Sequence, residues 1–191
     1  MQRQNYVLLF RYKMKTCDKI THGSLALFNQ FGERNMTTNH LAANLNISPG
    51  NLYYHFRNKE DIIRSIFDLY ESHLDAGFQP FNSNQLSMDL LVSYFDTMFD
   101  TVWKFRFMYN NLPDILSRDD ELARRYQQTQ KDALARSCAI LRSLRDEGIL
   151  DVENERIQPL ADTMRMIACF WIDYKQTHTH KEMVTKAFLY E

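Results

Sequence analysis

The stretch T-T-N-H-L-A-A-N-L-N-I-S-P-G-N-L-Y-Y-H-F-R-N-K-E, residues 37–60, decides the fold of the first part of the chain. It predicts a short helix over 38–45, capped by Thr37 or Thr38, and a second helix over 49–56. Asn46 suits the tight turn between them, because Asn accepts a positive φ more readily than other non-glycine residues. Ser48 is a good N-cap, and Pro49 fits the first helical position, where a missing N–H costs nothing. Two short helices joined in this way are typical of a helix-turn-helix.

The apolar residues of this stretch recur at helical spacing on one side of each predicted helix. We expect these residues to form the core and to carry no recognition chemistry: Leu41, Ala42, Leu45, Ile47, Leu52 and Phe56.

The flanking sequence predicts one helix on each side of the pair. Thr16 is the expected N-cap of a helix reaching residue 31, and Gly32 its left-handed C-terminal residue. The expected buried side of this helix consists of Ile20, Leu27, Phe28 and Phe31. After the pair, Asn58 caps a helix that runs to about residue 74, with Glu60 and Asp61 favourable in its first turn. Residues 1–13 lack an amphipathic pattern and are interpreted as an extension or a misassigned start before Met14.

The remaining sequence also shows helical periodicity, and no strand-like alternation occurs anywhere. Helices are predicted at 84–104, 105–116, 119–147, 155–177 and 181–191. Pro113 should end or kink the second of these, Gly148 should stop the third, and Asp119, Asp120 and Glu121 are interpreted as the acidic start of the third. The predicted fold class is all-α. Its predicted parts are an extension at 1–13, a helix-turn-helix domain at 14–74 and a helical bundle at 75–191, with Gly77, Pro80 and the polar run 82–84 marking the break.

Charge is distributed unevenly along the chain. Residues 1–74 carry nine basic and six acidic side chains, whereas the whole chain has a formal net charge of -1. A mildly basic head on an acidic body fits a small DNA-binding module carried by a domain with another task. Cys17, Cys138 and Cys169 are far apart and odd in number, so we expect reduced thiols in a cytoplasmic protein. No apolar run is long enough to span a membrane.

The second helix of the pair carries groups that suit double-stranded DNA. Its first residues are bare or short and polar, which allows close approach to base edges, and Asn51 has the amide that pairs with adenine. Thr38 offers a phosphate both a hydroxyl and a free backbone N–H. Further donors for phosphates are Tyr53, Tyr54, His55 and Lys59.

At these residues the sequence resembles the TetR family of bacterial transcriptional regulators. The resemblance covers about sixty residues: the first helix with I-T-H-G-S-L-A-L-F-N-Q-F-G (20–32), the helix-turn-helix, and the Asn58-Lys59-Glu60 start of the next helix. It departs from the usual family pattern at Gly23 and Ser24, where alanines are common, and at Asn46, where glycine is usual. The resemblance implies base contacts by Asn39, Pro49, Gly50 and Asn51 and phosphate contacts by Thr38, Tyr53, Tyr54, His55 and Lys59.

The second part of the chain is rich in aromatic and methionine side chains. Most such residues form core, but Met and Trp also line adaptable apolar cavities. On the resemblance, we predict a pocket for a small apolar or amphipathic effector lined by Trp103, Phe107, Met108, Met164 and Trp171, with Met166 a weaker candidate. Within the family, the segment S-P-G-N-L-Y-Y-H-F (48–56) is similar to that of regulators associated with polyhydroxyalkanoate or acyl-CoA metabolism.

No motif for catalysis, a cofactor or a metal is visible. His178 and His180 are interpreted as a solvated turn, since a zinc site needs three or four converging ligands. The resemblance implies a homodimeric repressor that reads a palindromic operator, is released by the effector, and dimerises through helices at 155–177 and beyond 181. Two alternatives stay open: a DNA-binding protein with a solid bundle controlled by a protein partner, and an α-bundle enzyme, for which converging carboxylates or histidines are lacking.

Overall fold

A computed structural model describes residues 15–78 and 87–178, and within these ranges all regular structure is helical. The predicted all-α class is confirmed. The chain divides into two compact units, Met1–Ile66 and Phe67–Glu191. Each unit is described by itself.

From residue 15 onward, the first unit contains three complete helices and the start of a fourth. These are α1 (Thr16–Phe31), α2 (Thr38–Asn44), α3 (Pro49–His55) and α4 (Lys59–Gly77), with a short 3-10 helix at Glu33–Asn35 between α1 and α2. Helix α4 begins as predicted, because Asn58 Oδ1 accepts from the backbone N–H of Asp61 at 2.8 Å. The buried core of the unit is mainly apolar and includes Ile20, Phe28, Leu41, Leu52, Ile62, Ile63 and Ile66.

Two details of α1 were predicted wrongly. Thr16 is the first helical residue rather than the cap; the cap position is Lys15, whose side chain makes no capping hydrogen bond. Phe31 is 46% exposed. The buried stripe also contains Thr21 and Ser24, and at about 100° per residue these polar residues shift its centre away from Phe31. The hydroxyl of Thr21 is satisfied by Ser65 Oγ at 2.8 Å, which is why a polar residue can lie there.

The described part of the second unit contains five further helices. They are α5 (Met88–Lys104), α6 (Arg106–Asn110), α7 (Leu112–Ser117), α8 (Asp120–Asp146) and α9 (Ile157–His178), with a 3-10 helix at Asn154–Arg156 before α9. The single helix predicted over 105–116 is wrong as one element, since the chain breaks at Asn111 and Pro113 lies in the first turn of α7. Asp119 caps α8 through Oδ1, which accepts from the N–H of Leu122 at 3.0 Å. Gly148 follows α8 with φ of 71°, as predicted.

Helices α8 and α9 form the main packing of the second unit. Their shared cluster contains Cys138, Leu141, Ile157 and Ala161. An ionic row joins α8 to the part of α4 in this unit: Arg125 Nη2 lies 2.6 Å from Asp68 Oδ1 and 2.5 Å from Glu71 Oε2. Part of the acidic charge of this unit is thereby neutralised within the fold.

Some predictions fall outside the described residues. These are the extension at 1–13, the start of the helix predicted at 84, the terminal helix at 181–191, and His180. The boundary predicted after residue 74 stays a prediction; the two compact units meet instead at residues 66 and 67, inside α4. None of the helices in the described ranges is both long enough and apolar enough to cross a membrane.

Candidate nucleic-acid interface

The turn between α2 and α3 is closed by backbone hydrogen bonds. Asn46 has φ of 53°, as predicted, and its N–H donates to the carbonyl of Ala43 at 3.2 Å. The N–H of Ile47 donates to the carbonyl of Ala42 at 3.0 Å. This bonding ends α2 one residue earlier than predicted and fixes the direction in which α3 leaves the turn.

Both helices of the pair begin with a side-chain cap. Thr37 Oγ1 accepts from the N–H of His40 at 3.2 Å, and Ser48 Oγ accepts from the N–H of Asn51 at 3.1 Å. Capping residues of this kind stabilise a helix by about 1 kcal/mol, which matters for helices of only seven residues that would not form alone.

Helix α3 has one buried and one exposed face. Leu52 is 0% and Phe56 is 6% exposed, so these two side chains anchor the helix to its unit. Tyr53 and Tyr54 are 48% and 84% exposed, and Asn51 also faces solvent. Large aromatic rings left in water next to an amide are the groups that a partner molecule would cover.

The start of α3 is bare. Pro49 and Gly50 are exposed, and a Cβ built on Gly50 would meet no heavy atom within 4 Å. Gly50 also lacks the positive φ that would require glycine. Nothing within the described chain therefore accounts for a glycine here, although an alanine would favour the helix. The smooth surface suits close approach by another molecule.

Two of the predicted phosphate contacts lie together. The hydroxyls of Thr38, at the start of α2, and Tyr53, on α3, are 2.8 Å apart. Whichever hydroxyl donates within the pair, the proton of the other stays available for an outside acceptor. The pair also holds the exposed tyrosine ring in place, so that both hydroxyls present one preformed polar spot.

Exposure differs among the remaining predicted contacts, Asn39, His55 and Lys59. Asn39 is exposed, and His55 is half-buried with its ring edge against Tyr54 at a centroid distance of 5.0 Å. Lys59 is already engaged: its Nζ lies 2.7 Å from Oε1 of Glu33, whose side chain is 0% exposed, and donates to the Glu33 carbonyl at 3.2 Å. A phosphate would have to share this ammonium.

Two residues of this region were missed from the sequence. Glu33, the buried partner of Lys59, follows Gly32 without any pattern that marks it as buried. Arg57 adds a positive charge whose side chain is 83% exposed. Its hydrogen bond to Asp61 holds the pKa of that carboxyl below its usual value. The basic surface beside α3 is therefore larger than predicted.

The residues predicted to line an effector pocket do not converge on one space. Phe107 and Met108 are each 2% exposed. Trp103 and Trp171 pack around Val102, while Met164 packs in the separate cluster between α8 and α9. Met166 is 58% exposed. Their roles as ligand contacts stay a prediction, and their positions here are those of core and surface.

A small cavity lies elsewhere in the second unit. Its volume is about 30 Å³, and its wall combines apolar residues with hydroxyl, amide and guanidinium groups. Residues on this wall include Tyr70, Met98, Thr101, Val102, Tyr109, Gln130 and Arg165. The sequence missed this set because its members come from several helices and share no local pattern.

Metal-ligating side chains do not converge in the described parts of the chain, where no group of three or more His, Cys, Asp or Glu residues is placed to hold an ion. His178 is exposed and stacks on Tyr174 at a centroid distance of 4.2 Å.

The capped helix pair and the exposed polar face of α3 define a helix-turn-helix DNA-binding protein. Residues 20–66 match the family described as "Bacterial regulatory proteins, tetR family", and residues 69–191 match "TetR: Bacterial transcriptional repressor". The chain therefore belongs to the TetR family. The predicted family and the predicted class, a DNA-binding transcriptional regulator, are confirmed.

Solved structures share the fold. A TetR-family transcriptional regulator from Marinobacter aquaeolei VT8 is 37% identical, covers 89% of this chain and 84% of its own, and superposes with a TM-score of 0.83. A TetR family regulator from Thermus thermophilus is 19% identical, with coverage of 89% and 92% and a TM-score of 0.67, which shows the fold alone. The probable acrEF/envCD operon repressor of Escherichia coli (strain K12) is 30% identical over 86 residues, which span 41% of this chain and only 39% of that protein.

Proposed function

We propose that this protein is a cytoplasmic, non-catalytic repressor that binds a palindromic operator as a homodimer and is released by a small apolar or amphipathic effector. The observation that carries the proposal is the outer face of α3. Gly50, Asn51 and Tyr53 are exposed on this helix, and the buried side chain of Leu52 anchors it to the unit. In this arrangement Asn51 reads a base, Asn39, Pro49 and Gly50 lie along the base edges, and the hydroxyls of Thr38 and Tyr53 bind a phosphate.

An exposed apolar stripe on α9 supports the homodimer. Met166, Ile167, Phe170 and Tyr174 are between 50% and 64% exposed and recur at helical spacing on one face. Contiguous exposed apolar surface of this kind marks an association site. Two copies joined through α9 would also present two reading helices to the half-sites of a palindrome, since one module alone touches too few bases.

Operator binding tests the proposal directly. A site is first selected from a random pool of duplex DNA, and its affinity is then measured by fluorescence anisotropy at several salt concentrations. Tyr53→Phe should weaken binding by about ten- to a hundredfold, because it removes a hydrogen bond from a hydroxyl to a charged phosphate. Asn51→Ala should relax the preference at one base pair of each half-site.

The matched control for Tyr53→Phe is Tyr126→Phe, which removes a hydroxyl from a half-buried tyrosine on α8, outside both the proposed DNA face and the proposed dimer face. It should leave operator affinity at the wild-type value. Wild-type binding by both Tyr53→Phe and Asn51→Ala would show that the proposed face of α3 does not contact DNA. A monomeric protein in sedimentation would overturn the homodimer.

One observation favours a second candidate, control by a protein partner. The cavity of about 30 Å³ is far smaller than the several hundred Å³ of a typical ligand pocket, and Phe107 and Met108, which were predicted to line a pocket, are buried in the core. A regulator whose operator complex persists in the presence of apolar and amphipathic small molecules, and whose thermal midpoint none of them shifts, would be of this kind.

A further inference from the structure

A chain of polar side chains crosses the interior of the second unit. The hydroxyls of Tyr109 (α6) and Tyr70 (α4) are 3.1 Å apart, and Gln130 Nε2 (α8) donates to the Tyr70 hydroxyl at 3.1 Å. Arg165 Nη2 (α9) donates to Oε1 of the same glutamine. Four helices thus contribute one residue each, and all four residues line the cavity of about 30 Å³.

The hydrogen bonds among these four side chains leave some of their N–H and O–H donors unused. They leave few acceptors unused. Gln130 donates to Tyr70, so one phenol proton fills the bond between the two tyrosines and the other phenol proton has no acceptor among the described residues. Burial raises the pKa of Tyr109 well above its ordinary value, which keeps that phenol protonated. A surplus proton facing a cavity calls for an acceptor from outside.

Arg165 supplies a positive charge at the same place. Among the described residues its hydrogen-bond partner is the amide of Gln130, and no carboxylate pairs with it. By contrast, Arg125 and Arg136, which reach from α8 to α4, each have a carboxylate oxygen within 2.6 Å. Most of the five N–H donors of the Arg165 guanidinium are therefore available for an anion.

The size of the cavity limits the group it can hold. A water-sized atom needs about 10–15 Å³ of such volume, so 30 Å³ accommodates two or three heavy atoms. A planar carboxylate has three, whereas a phosphate has five and a whole effector many more. The apolar part of the wall includes Leu74, Met98 and Val102. A hydrocarbon tail would continue there after displacing side chains.

We propose that the effector is a monocarboxylic acid with an apolar tail, whose carboxylate is bound by Arg165 together with the surplus phenol proton of the Tyr70–Tyr109 pair. The inference rests on the proposed function, since it assigns the chemical class of the effector that releases the repressor. The bound carboxylate completes the hydrogen bonding of the polar chain and neutralises the guanidinium.

The test compares ligands that differ only in the head group. Decanoate, 4-phenylbutanoate, their matched primary alcohols and decyl phosphate are titrated into the full-length protein by calorimetry and by thermal denaturation. At least one of the two acids should bind ten- to a hundredfold more tightly than its alcohol, as expected for a charge-assisted hydrogen bond, and should raise the thermal midpoint. Equal affinity of acids and alcohols, or tighter binding of the phosphate, would overturn the proposal.

Two variants locate the carboxylate. Arg165→Gln should abolish the preference for the acid over the alcohol, and the double variant Tyr70→Phe/Tyr109→Phe should reduce acid affinity several-fold while keeping both rings. The control is Arg156→Gln, at a side chain that is 77% exposed next to α9, which should bind the acid as the wild type does. If Arg165→Gln does not fold, the double variant and the head-group comparison still decide: undiminished acid binding by Tyr70→Phe/Tyr109→Phe would contradict the proposed contact.

Operator binding in the absence of ligand is measured on the same preparations. Loss of acid selectivity with intact operator binding overturns only the effector class. A wild-type protein that binds the acid but no operator would instead contradict the proposed repressor function.

Discussion

At the scale of single residues, the fold does not require the glycine at position 50, whereas the proposed DNA contact does. No protein atom would meet its Cβ, and its backbone conformation does not require glycine. We expect Gly50→Ala to stabilise the protein by up to about 1 kcal/mol, because alanine favours a helix over glycine. The same methyl group should weaken operator binding by about five- to a hundredfold, the equivalent of about 1–3 kcal/mol for a crowded contact. Urea denaturation and anisotropy titration measure the two effects.

Gly148 offers the matched control. A Cβ at this position also meets nothing within 4 Å, but its φ is 71°. Gly148→Ala should therefore destabilise the protein by about 1 kcal/mol through backbone strain and leave operator affinity unchanged. If Gly50→Ala binds the operator as tightly as the wild type, the start of α3 does not approach DNA closely.

The ion pair between Lys59 and Glu33 makes a second prediction at this scale. Glu33 is fully buried, and removal of the partner of a buried charge typically costs about 3–5 kcal/mol. Lys59→Met should lower stability by about 3 kcal/mol in urea denaturation, and the double variant Lys59→Met/Glu33→Gln should recover much of the loss. A Lys59→Met protein as stable as the wild type would mean that the lysine serves DNA alone.

At the scale of single residues, roles set by local geometry could be predicted from the sequence, and roles set by tertiary contacts could not. Asn46, Ser48 and Gly148 were predicted correctly because their roles depend on local backbone geometry. The partnership of Glu33 with Lys59 could not be predicted, because it joins residues 26 apart whose burial depends on tertiary packing.

At the scale of elements, Gly23 explains why α1 and α2 approach closely. A Cβ at Gly23 would overlap Cδ2 of Leu45, so the glycine that departs from the usual family pattern leaves room for that side chain. Gly23→Ala alone should destabilise the unit despite the better helix propensity of alanine. In a Leu45→Ala background the same change should stabilise by up to about 1 kcal/mol.

A double-mutant cycle in urea denaturation checks this coupling. Ala43 is exposed on α2, and Ala43→Ser serves as the control background, in which Gly23→Ala should behave as in the wild type. The same effect of Gly23→Ala in all backgrounds would remove Leu45 as the reason for the glycine.

Some helix starts were predictable from the side chain that forms the cap. Helices α2, α3 and α8 start at the residues that Thr37, Ser48 and Asp119 cap. The break between α6 and α7 has no side-chain cap on either helix, and Pro113 indicated an interruption here but not its position at Asn111. Apolar spacing predicts that a helix exists; it does not predict a break made by backbone geometry alone.

At the scale of the whole molecule, His73 predicts a pH dependence of stability. Burial is the main cause that lowers the pKa of its imidazole below 6.5, and the positive charge of Lys104 lowers this pKa further. The charge of Asp100 acts in the opposite direction. Lys104 Nζ lies 3.3 Å from Nδ1, and the ring packs at 5.8 Å from that of Phe105. Below pH 6.5 the unfolded chain takes up this proton more readily than the folded one, so stability should fall as the pH drops from 6.5 to the lowered pKa.

Urea midpoints at pH 7.5 and 5.5 measure this fall. His73→Gln should reduce it, because the variant has no imidazole to protonate at this site. His22→Gln, at an exposed position on α1, should keep the full wild-type fall. An unchanged fall in His73→Gln would place the pH dependence elsewhere in the chain.

The class of the molecule could be predicted from sequence, but the interior of its second unit could not. The family motif lies in one continuous stretch, and each of its residues has a local reason. The polar chain through Tyr70, Tyr109, Gln130 and Arg165 joins residues up to 95 positions apart, as their numbers show. Composition singled out Trp and Met for the pocket, whereas the hydrogen-bonding groups on the cavity wall belong mainly to tyrosine, glutamine and arginine.

The two tryptophans have an optical consequence. The chain has only Trp103 and Trp171, and both pack around Val102 in the second unit, while the helix-turn-helix contains tyrosine but no indole. Tryptophan fluorescence therefore reports on the second unit and does not respond to changes confined to α3. If emission changes when operator DNA is added, the signal has travelled along the molecule, and its size measures the coupling on which release by an effector depends.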